Sequence, residues 1–161
     1  MGCAPHTRGS LATLTLALLV LLGLVSFAAA DRPGSSASKP VGRLVQPRGH
    51  DGCVHRKGIN RCATGRFVTS PEDVAVSPDG RFVYVASYGN HAIAIFARNP
   101  STGMLRQLPG ALGCMSPHPW QGCAVSRRMG GIHYLAFTHD GRFAYAAGEG
   151  SAALVVLRAD A

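Results

Sequence analysis

The apolar positions of this chain fall into two regimes. Residues 11–27 form an almost unbroken apolar run, whereas from about residue 42 the apolar positions come in short bursts separated by Gly, Pro, Asn and Asp. Residues 73–77 are a β-branched run closed by Pro78-Asp79-Gly80, a turn in which glycine supplies positive φ. Residues 81–87 follow, with Phe82, Val83, Tyr84 and Val85, and then Tyr88-Gly89-Asn90 turns the chain again. Residues 91–97 carry Ile93, Ile95 and Phe96, a third turn spans residues 99–103, and residues 104–108 make a last short burst. Runs of this length between turn residues predict strands of an antiparallel meander. The two middle strands are apolar on both faces. A sheet with one wet face would alternate, so this sheet is expected to be covered on both sides. Nothing beyond residue 41 has the 3.6-residue period of a helix.

The pattern then repeats. Shifted by 61 residues, Cys53 falls on Cys114, Cys62 on Cys123, and Asp79-Gly80-Arg81-Phe82 on Asp140-Gly141-Arg142-Phe143. Tyr84, Ala86 and Gly89 fall on Tyr145, Ala147 and Gly150, and Gly42, Leu44, Gln46, Gly49 and Gly52 on Gly103, Leu105, Gln107, Gly110 and Gly113. No gap is needed, so the chain holds two copies of one unit, residues 42–102 and 103–161.

The run Val74-Ala75-Val76-Ser77-Pro78-Asp79-Gly80-Arg81-Phe82-Val83-Tyr84-Val85-Ala86-Ser87 resembles the blade signature of the YVTN-type, lactonase-like bacterial β-propellers. Ala92-Ile93-Ala94-Ile95-Phe96 and Thr102-Gly103-Met104-Leu105 are similar to the same family, and the Gly-Cys…Cys-Ala insert is similar to a secreted, repeat-rich subgroup of it. The resemblance covers residues 42–161. It implies an all-β fold of four-stranded antiparallel blades, here an incomplete propeller of about two. The second copy departs from the signature: His139 stands where the first has Pro78, and Tyr145-Ala146-Ala147-Gly148 is a degraded version.

A propeller closes with four to eight blades. Lettered A to D outward from the axis, the strands read D (residues 43–46), A-B-C-D, A-B-C. Two accounts of this frame compete. In the preferred one the chain is a truncated piece of a longer propeller. In the other, several copies form one ring, each N-terminal D strand completing a neighbour's last blade. Either way two blades leave apolar faces and an open sheet edge in water, so the isolated chain is expected to be oligomeric or poorly folded.

The first regime has a different meaning. Arg8, the apolar run, and Ala28-Ala29-Ala30 before Asp31 read as a secretory signal peptide over residues 1–30. The run is short of the ~20 residues a spanning helix needs, so no stable membrane span is expected after cleavage. Residues 31–41, with Pro33, Gly34, Ser35, Ser36, Ser38 and Pro40, read as a flexible linker. Cleavage takes the net charge from +8 to +7, carried almost entirely by arginine. Such a charge suits an anionic polysaccharide or cell-surface ligand, or serves solubility alone. No nucleic-acid motif accompanies it, and no nucleic-acid partner is expected.

Four cysteines remain in an exported chain, which favours disulfides among Cys53, Cys62, Cys114 and Cys123. Pairing within each copy is the simplest connectivity, since it repeats with the unit, but four cysteines allow three connectivities. A zinc site at His50, Cys53, His55 and Cys62 is the rival. The second copy has Ala111 and Ser116 in place of the histidines, so only the cysteines recur, and no metal or other cofactor is expected.

The first insert is basic, with Arg56, Lys57 and Arg61 among its cations. In a propeller the D-to-A connections and B-to-C turns share one rim, where loops on a rigid scaffold carry function. That rim would present Arg56, Lys57, Arg61, Tyr88, His91 and Trp120 as candidate binding residues. Trp120 has no counterpart in the first copy.

Two functions remain open. The main one is a non-catalytic extracellular binding or structural scaffold, since every repeated position serves turns, strands or cysteines. The alternative is a lactonase-like hydrolase acting on a sugar lactone. His91, His133, Glu72 and Glu149 are available for acid–base work, but none forms a repeating pair, and no catalytic residue is assigned. Neither a phosphate loop, a G-x-S-x-G elbow nor an H-E-x-x-H is present.

Overall fold

In the computed structural model, residues 42–119 and 122–159 are described. The expected signal peptide, the linker and Trp120 lie outside the described residues. From Leu44 onward the chain forms one unit, and its regular elements are strands joined by 3-10 turns, with no α-helix among the described residues.

Two short parallel strands come first, β1 (Val54–His55) and β2 (Ala63–Thr64), closed by the Cys53–Cys62 disulfide. The first meander follows: β3 (Pro71–Val76), β4 (Phe82–Ser87) and β5 (Ala92–Arg98), paired antiparallel in that order. The outer edge of β5 carries two strands end to end, β6 (Leu105–Gln107) with Gln107 opposite Phe96, and β7 (Cys114–Ser116) with Met115 opposite Ile93. β8 (Ala124–Val125) adds in parallel to β7, as β2 does to β1. The second meander is β9 (Ile132–Phe137), β10 (Phe143–Gly148) and β11 (Ala153–Arg158).

The strand-joining turn shows why the repeat is so well kept. Ser77 Oγ accepts the Phe82 N–H at 3.0 Å, and Asp79 Oδ1 accepts the Arg81 N–H at 3.0 Å. Thr138 and Asp140 do the same for Phe143 and Arg142. The glycine between them is left-handed in both copies, at φ 72° in Gly80 and 71° in Gly141, where a Cβ would be strained. These side-chain bonds hold the turn, so His139 substitutes for Pro78 without changing it.

Two expectations need correction. Residues 43–46 form no strand. A strand needs a neighbour to satisfy its backbone, and among the described residues no strand pairs with this segment. The fourth strand is also not a single run followed by an insert. It is split into β6 and β7, residues 108–113 loop out between them, and Cys114 lies inside its second half. Leu108 keeps the register across the break by donating its N–H to the Ile95 carbonyl.

Each face of the first meander has its own core. One face packs Val83, Ala92, Ala94 and Phe96 against Phe67, Cys114 and Cys123. The other packs Ala86 and Ile93 against Met129, Ile132, Leu135, Ala146 and Val155 of the second copy. The two meanders thus stack face to face with their inner strands β3 and β9 adjacent, as successive blades do in a propeller. Among the described residues, nothing covers the far face of the second meander in this way. Ile93 is 2% exposed, while Leu154, its counterpart one repeat on, is 67% exposed.

Candidate functional site

The stacked meanders meet at one rim, and side chains from both copies converge there. In the first copy the β4–β5 turn, Tyr88–Asn90, is tied to the segment entering β3. The Tyr88 N–H donates to the Ser70 carbonyl, the Gly89 N–H to the Thr69 carbonyl, and the Thr69 N–H to Asn90 Oδ1. The second copy repeats this with other residues. The Glu149 N–H donates to the Gly131 carbonyl, and the Gly130 N–H to Ser151 Oγ. The connections into the inner strands and the β-turns therefore sit on one rim.

Across the seam, His91 Nδ1 accepts the Gly131 N–H at 2.9 Å. Gly131 is left-handed, and a Cβ there would stand 3.0 Å from the Tyr88 ring, so glycine is what lets the blades close this tightly. Beside it, His133 Nε2 lies 2.8 Å from Glu149 Oε2. The Tyr88 ring covers the imidazole of His133 at 4.8 Å between centroids and lies 6.4 Å from that of His91. The group is thus Tyr88 and His91 from the first copy with His133 and Glu149 from the second. Its chemistry follows from the contacts. A carboxylate accepting the Nε2–H of a neutral imidazole fixes the tautomer and leaves the lone pair on Nδ1, the arrangement of a histidine base oriented by an acid. His133 is partly shielded and Glu149 largely exposed, so the pair opens to solvent.

Of the candidate rim residues, the structure brings Tyr88 and His91 together. Arg56, Lys57 and Arg61 lie exposed on the Cys53–Cys62 loop, and among the described residues no hydrogen bond, ion pair or ring contact joins their side chains to the seam. The disulfides pair Cys53 with Cys62 and Cys114 with Cys123, so the sulfurs of the zinc alternative are already bonded. Among the described residues no three His, Cys, Asp or Glu side chains converge as a metal site. No helix among them is long and apolar enough to cross a membrane.

The His133–Glu149 pair is not legible in the sequence as a repeating pair. The useful signal was the opposite one. One repeat back, His133 corresponds to Glu72 and Glu149 to Tyr88, while His91 corresponds to Ala152 one repeat on. The positions that diverge on this rim are the ones that bring Tyr88, His91, His133 and Glu149 together.

Residues 57–119 match the sequence profile of the family described as Lactonase, 7-bladed beta-propeller. That stretch runs from before β2 through β7, the whole of the first blade, and stops short of His133 and Glu149. No curated protein matches the chain. Among solved structures, a protein from Lactobacillus plantarum is similar at 24% identity and a TM-score of 0.46, over 61% of this chain and 26% of that one. A "putative 6-phosphogluconolactonase" from Bacteroides uniformis is similar at 25% identity and 0.44, over 61% and 25%. A second protein so described, from Bacteroides fragilis, is similar at 18% identity and 0.41, over 61% and 24%. This chain spans about a quarter of the length of each.

Proposed function

We propose, from the premise that this chain carries blades of a lactonase-like β-propeller, that it contributes a hydrolytic rim site acting on a sugar lactone. The observation that carries this reading is the His133–Glu149 pair, held at 2.8 Å beneath the Tyr88 ring on the blade seam. Glu149 orients His133. Nδ1 of His133 takes a proton from water as the water oxygen attacks the lactone carbonyl. Collapse of the tetrahedral adduct breaks the ring C–O bond, and the proton returns from imidazolium to the departing ring oxygen, leaving a hydroxy acid. Tyr88 offers a flat apolar wall to one face of the sugar ring. The protein works outside the cytoplasm, a placement supported by the two disulfides. The exposed Arg56, Lys57 and Arg61 hold it near anionic surfaces.

The test is hydrolysis of glucono-1,5-lactone by the purified protein, followed as acid release above the spontaneous rate. His133→Ala and Glu149→Gln are each expected to lower turnover about 100-fold or more. Turnover unchanged in both variants overturns the assignment.

A further inference from the structure

Each histidine of the rim has one ring nitrogen occupied by the protein, and the two are occupied in opposite senses. A backbone N–H can donate only to a ring nitrogen that carries no proton. The Gly131 N–H donates to His91 Nδ1 at 2.9 Å, so the proton of the neutral His91 ring sits on Nε2. His133 Nε2 lies 2.8 Å from Glu149 Oε2, which leaves the lone pair of that ring on Nδ1. One imidazole is thus a fixed donor and the other a fixed acceptor. Among the described residues, no group of the protein takes the Nε2–H of His91, and the residue is exposed.

A single residue holds both rings in place. Gly131 gives its N–H to His91 and accepts the Glu149 N–H on its carbonyl at 3.0 Å, and His133 follows two residues later in β9. Moving one imidazole against the other would break a backbone bond of Gly131 or the contact with Glu149. Both rings also flank Tyr88, at 6.4 and 4.8 Å between centroids. The turn itself does not call for an imidazole. His91 ends it in the left-handed region at φ 53° and ψ 40°, and Ala152 ends the equivalent turn of the second copy in the same region at φ 47° and ψ 45°. The His91 ring is therefore an addition to a turn that forms without it.

We propose that His91 activates the carbonyl at the rim site: its Nε2–H donates a hydrogen bond to the carbonyl oxygen of the lactone while His133 deprotonates the attacking water. This rests on the hydrolytic reading of the rim and supplies the donor that the reaction needs beside its base. As the water oxygen bonds to the carbonyl carbon, the π pair moves onto the carbonyl oxygen, and the growing negative charge strengthens the bond from Nε2–H. The proton stays on His91 throughout. The pair returns to reform C=O as the ring C–O bond breaks, and the ring oxygen takes the proton held by His133.

Asparagine separates the two bonds of His91. Its Oδ1 falls where Nδ1 of the imidazole stood and accepts the Gly131 N–H, and asparagine tolerates the left-handed backbone. Nothing in it replaces the Nε2–H. With glucono-1,5-lactone as substrate, His91→Asn should lower kcat about 100-fold, with a smaller effect on KM and with Tm and the shape of the pH–rate profile kept. His133→Ala should instead remove the pH dependence that the base imposes. In the wild type with isotope-labelled histidine, NMR should find the His91 proton on Nε2. That signal should move downfield when gluconolactam, an unreactive amide analogue of the substrate, is bound. Full turnover by His91→Asn beside an inactive His133→Ala variant overturns the role of His91 and leaves the hydrolytic reading standing. A wild type that does not hydrolyse the lactone removes that reading and the role of His91 with it. A proton on Nδ1 of His91, or an Nε2–H signal that ignores the lactam, overturns the role even where the variant is too unstable to assay.

Discussion

The two blades build the same three-stranded meander in closely matching register, yet they are buried in opposite places. In the first, Val74 is 62% exposed while Ile93 is sealed in the interface; in the second, Leu135 at the position of Val74 is 8% exposed while Leu154 at the position of Ile93 is open. The strands pair alike in both. What differs is the neighbour: the first blade is covered on its second-blade side and, through Phe67 and the cystine loops, on much of the other. Burial is therefore a property of position in the stack, and equivalent strands differ in stability according to which face meets another blade.

The largest expected effect tests this directly. Phe96→Ala opens a cavity in a sealed core and is expected to cost about 3–5 kcal/mol in denaturant unfolding. Leu157→Ala, at the same repeat position, removes a half-buried side chain beside an open cleft and is expected to cost about 1 kcal/mol. Equal losses would mean that the second blade is as well covered as the first.

The cystines come next. Each closes a loop of sequence separation 9, for which the chain-entropy model gives about 2.7 kcal/mol. Cys114 and Cys123 are also buried, whereas Cys53 and Cys62 are half-exposed. Replacing Cys114 and Cys123 by alanine is expected to cost about 3 kcal/mol or more, since a cavity term adds to the entropy. Replacing Cys53 and Cys62 is expected to cost no more than the entropy, and thermal melts of the two double variants rank them.

The seam itself is held by a bond the repeat does not copy. Asp73 Oδ2 accepts the Leu135 N–H at 2.8 Å, and the residue at the Asp73 position in the second blade is Tyr134, which cannot repeat it. Asp73→Ala leaves that N–H without a partner and is expected to cost about 1–3 kcal/mol. Hydrogen exchange at Leu135 should speed up; an unchanged rate would show that this bond does not hold the seam.

What was legible in the sequence follows from the same comparison. The meanders, their turns and the equal cysteine spacing depend on neighbours close in the chain, and they repeat, so each copy vouched for the other. The strand expected at residues 43–46 failed because its pairing depends on an edge, and the sequence of a strand does not carry its partner. The split of β6 from β7 was hidden because residues 104–108 read as one complete short strand, and the pairing of residues 114–116 with β5 lies beyond the turn residues Pro109 and Gly110. The pair of His133 and Glu149, sixteen residues apart, is adjacent only because the β10–β11 turn folds back over the start of β9.

The smallest effect lies in the two turns. In each, a hydroxyl and a backbone N–H bond the aspartate and favour its ionised form. The Ser77 hydroxyl and the Arg81 backbone and side chain lower Asp79 from 3.8 to about 2. Thr138 and the Arg142 backbone lower Asp140 as well, but only Asp79 adds an ion pair, with Arg81 Nε at 2.6 Å. A carboxyl whose folded pKa is depressed contributes stability above its unfolded pKa and loses it as pH falls through the folded one. Stability tied to Asp79 is thus intact above about pH 4 and fades toward pH 2. Asp79→Ala should flatten the acid limb of the unfolding profile over that window, and Asp140→Ala should flatten it less. Both groups are fully exposed, so salt should narrow the difference between the two variants. If the two acid limbs coincide at low salt, the ion pair adds nothing, and the two turns are equivalent even though the blades that contain them are not.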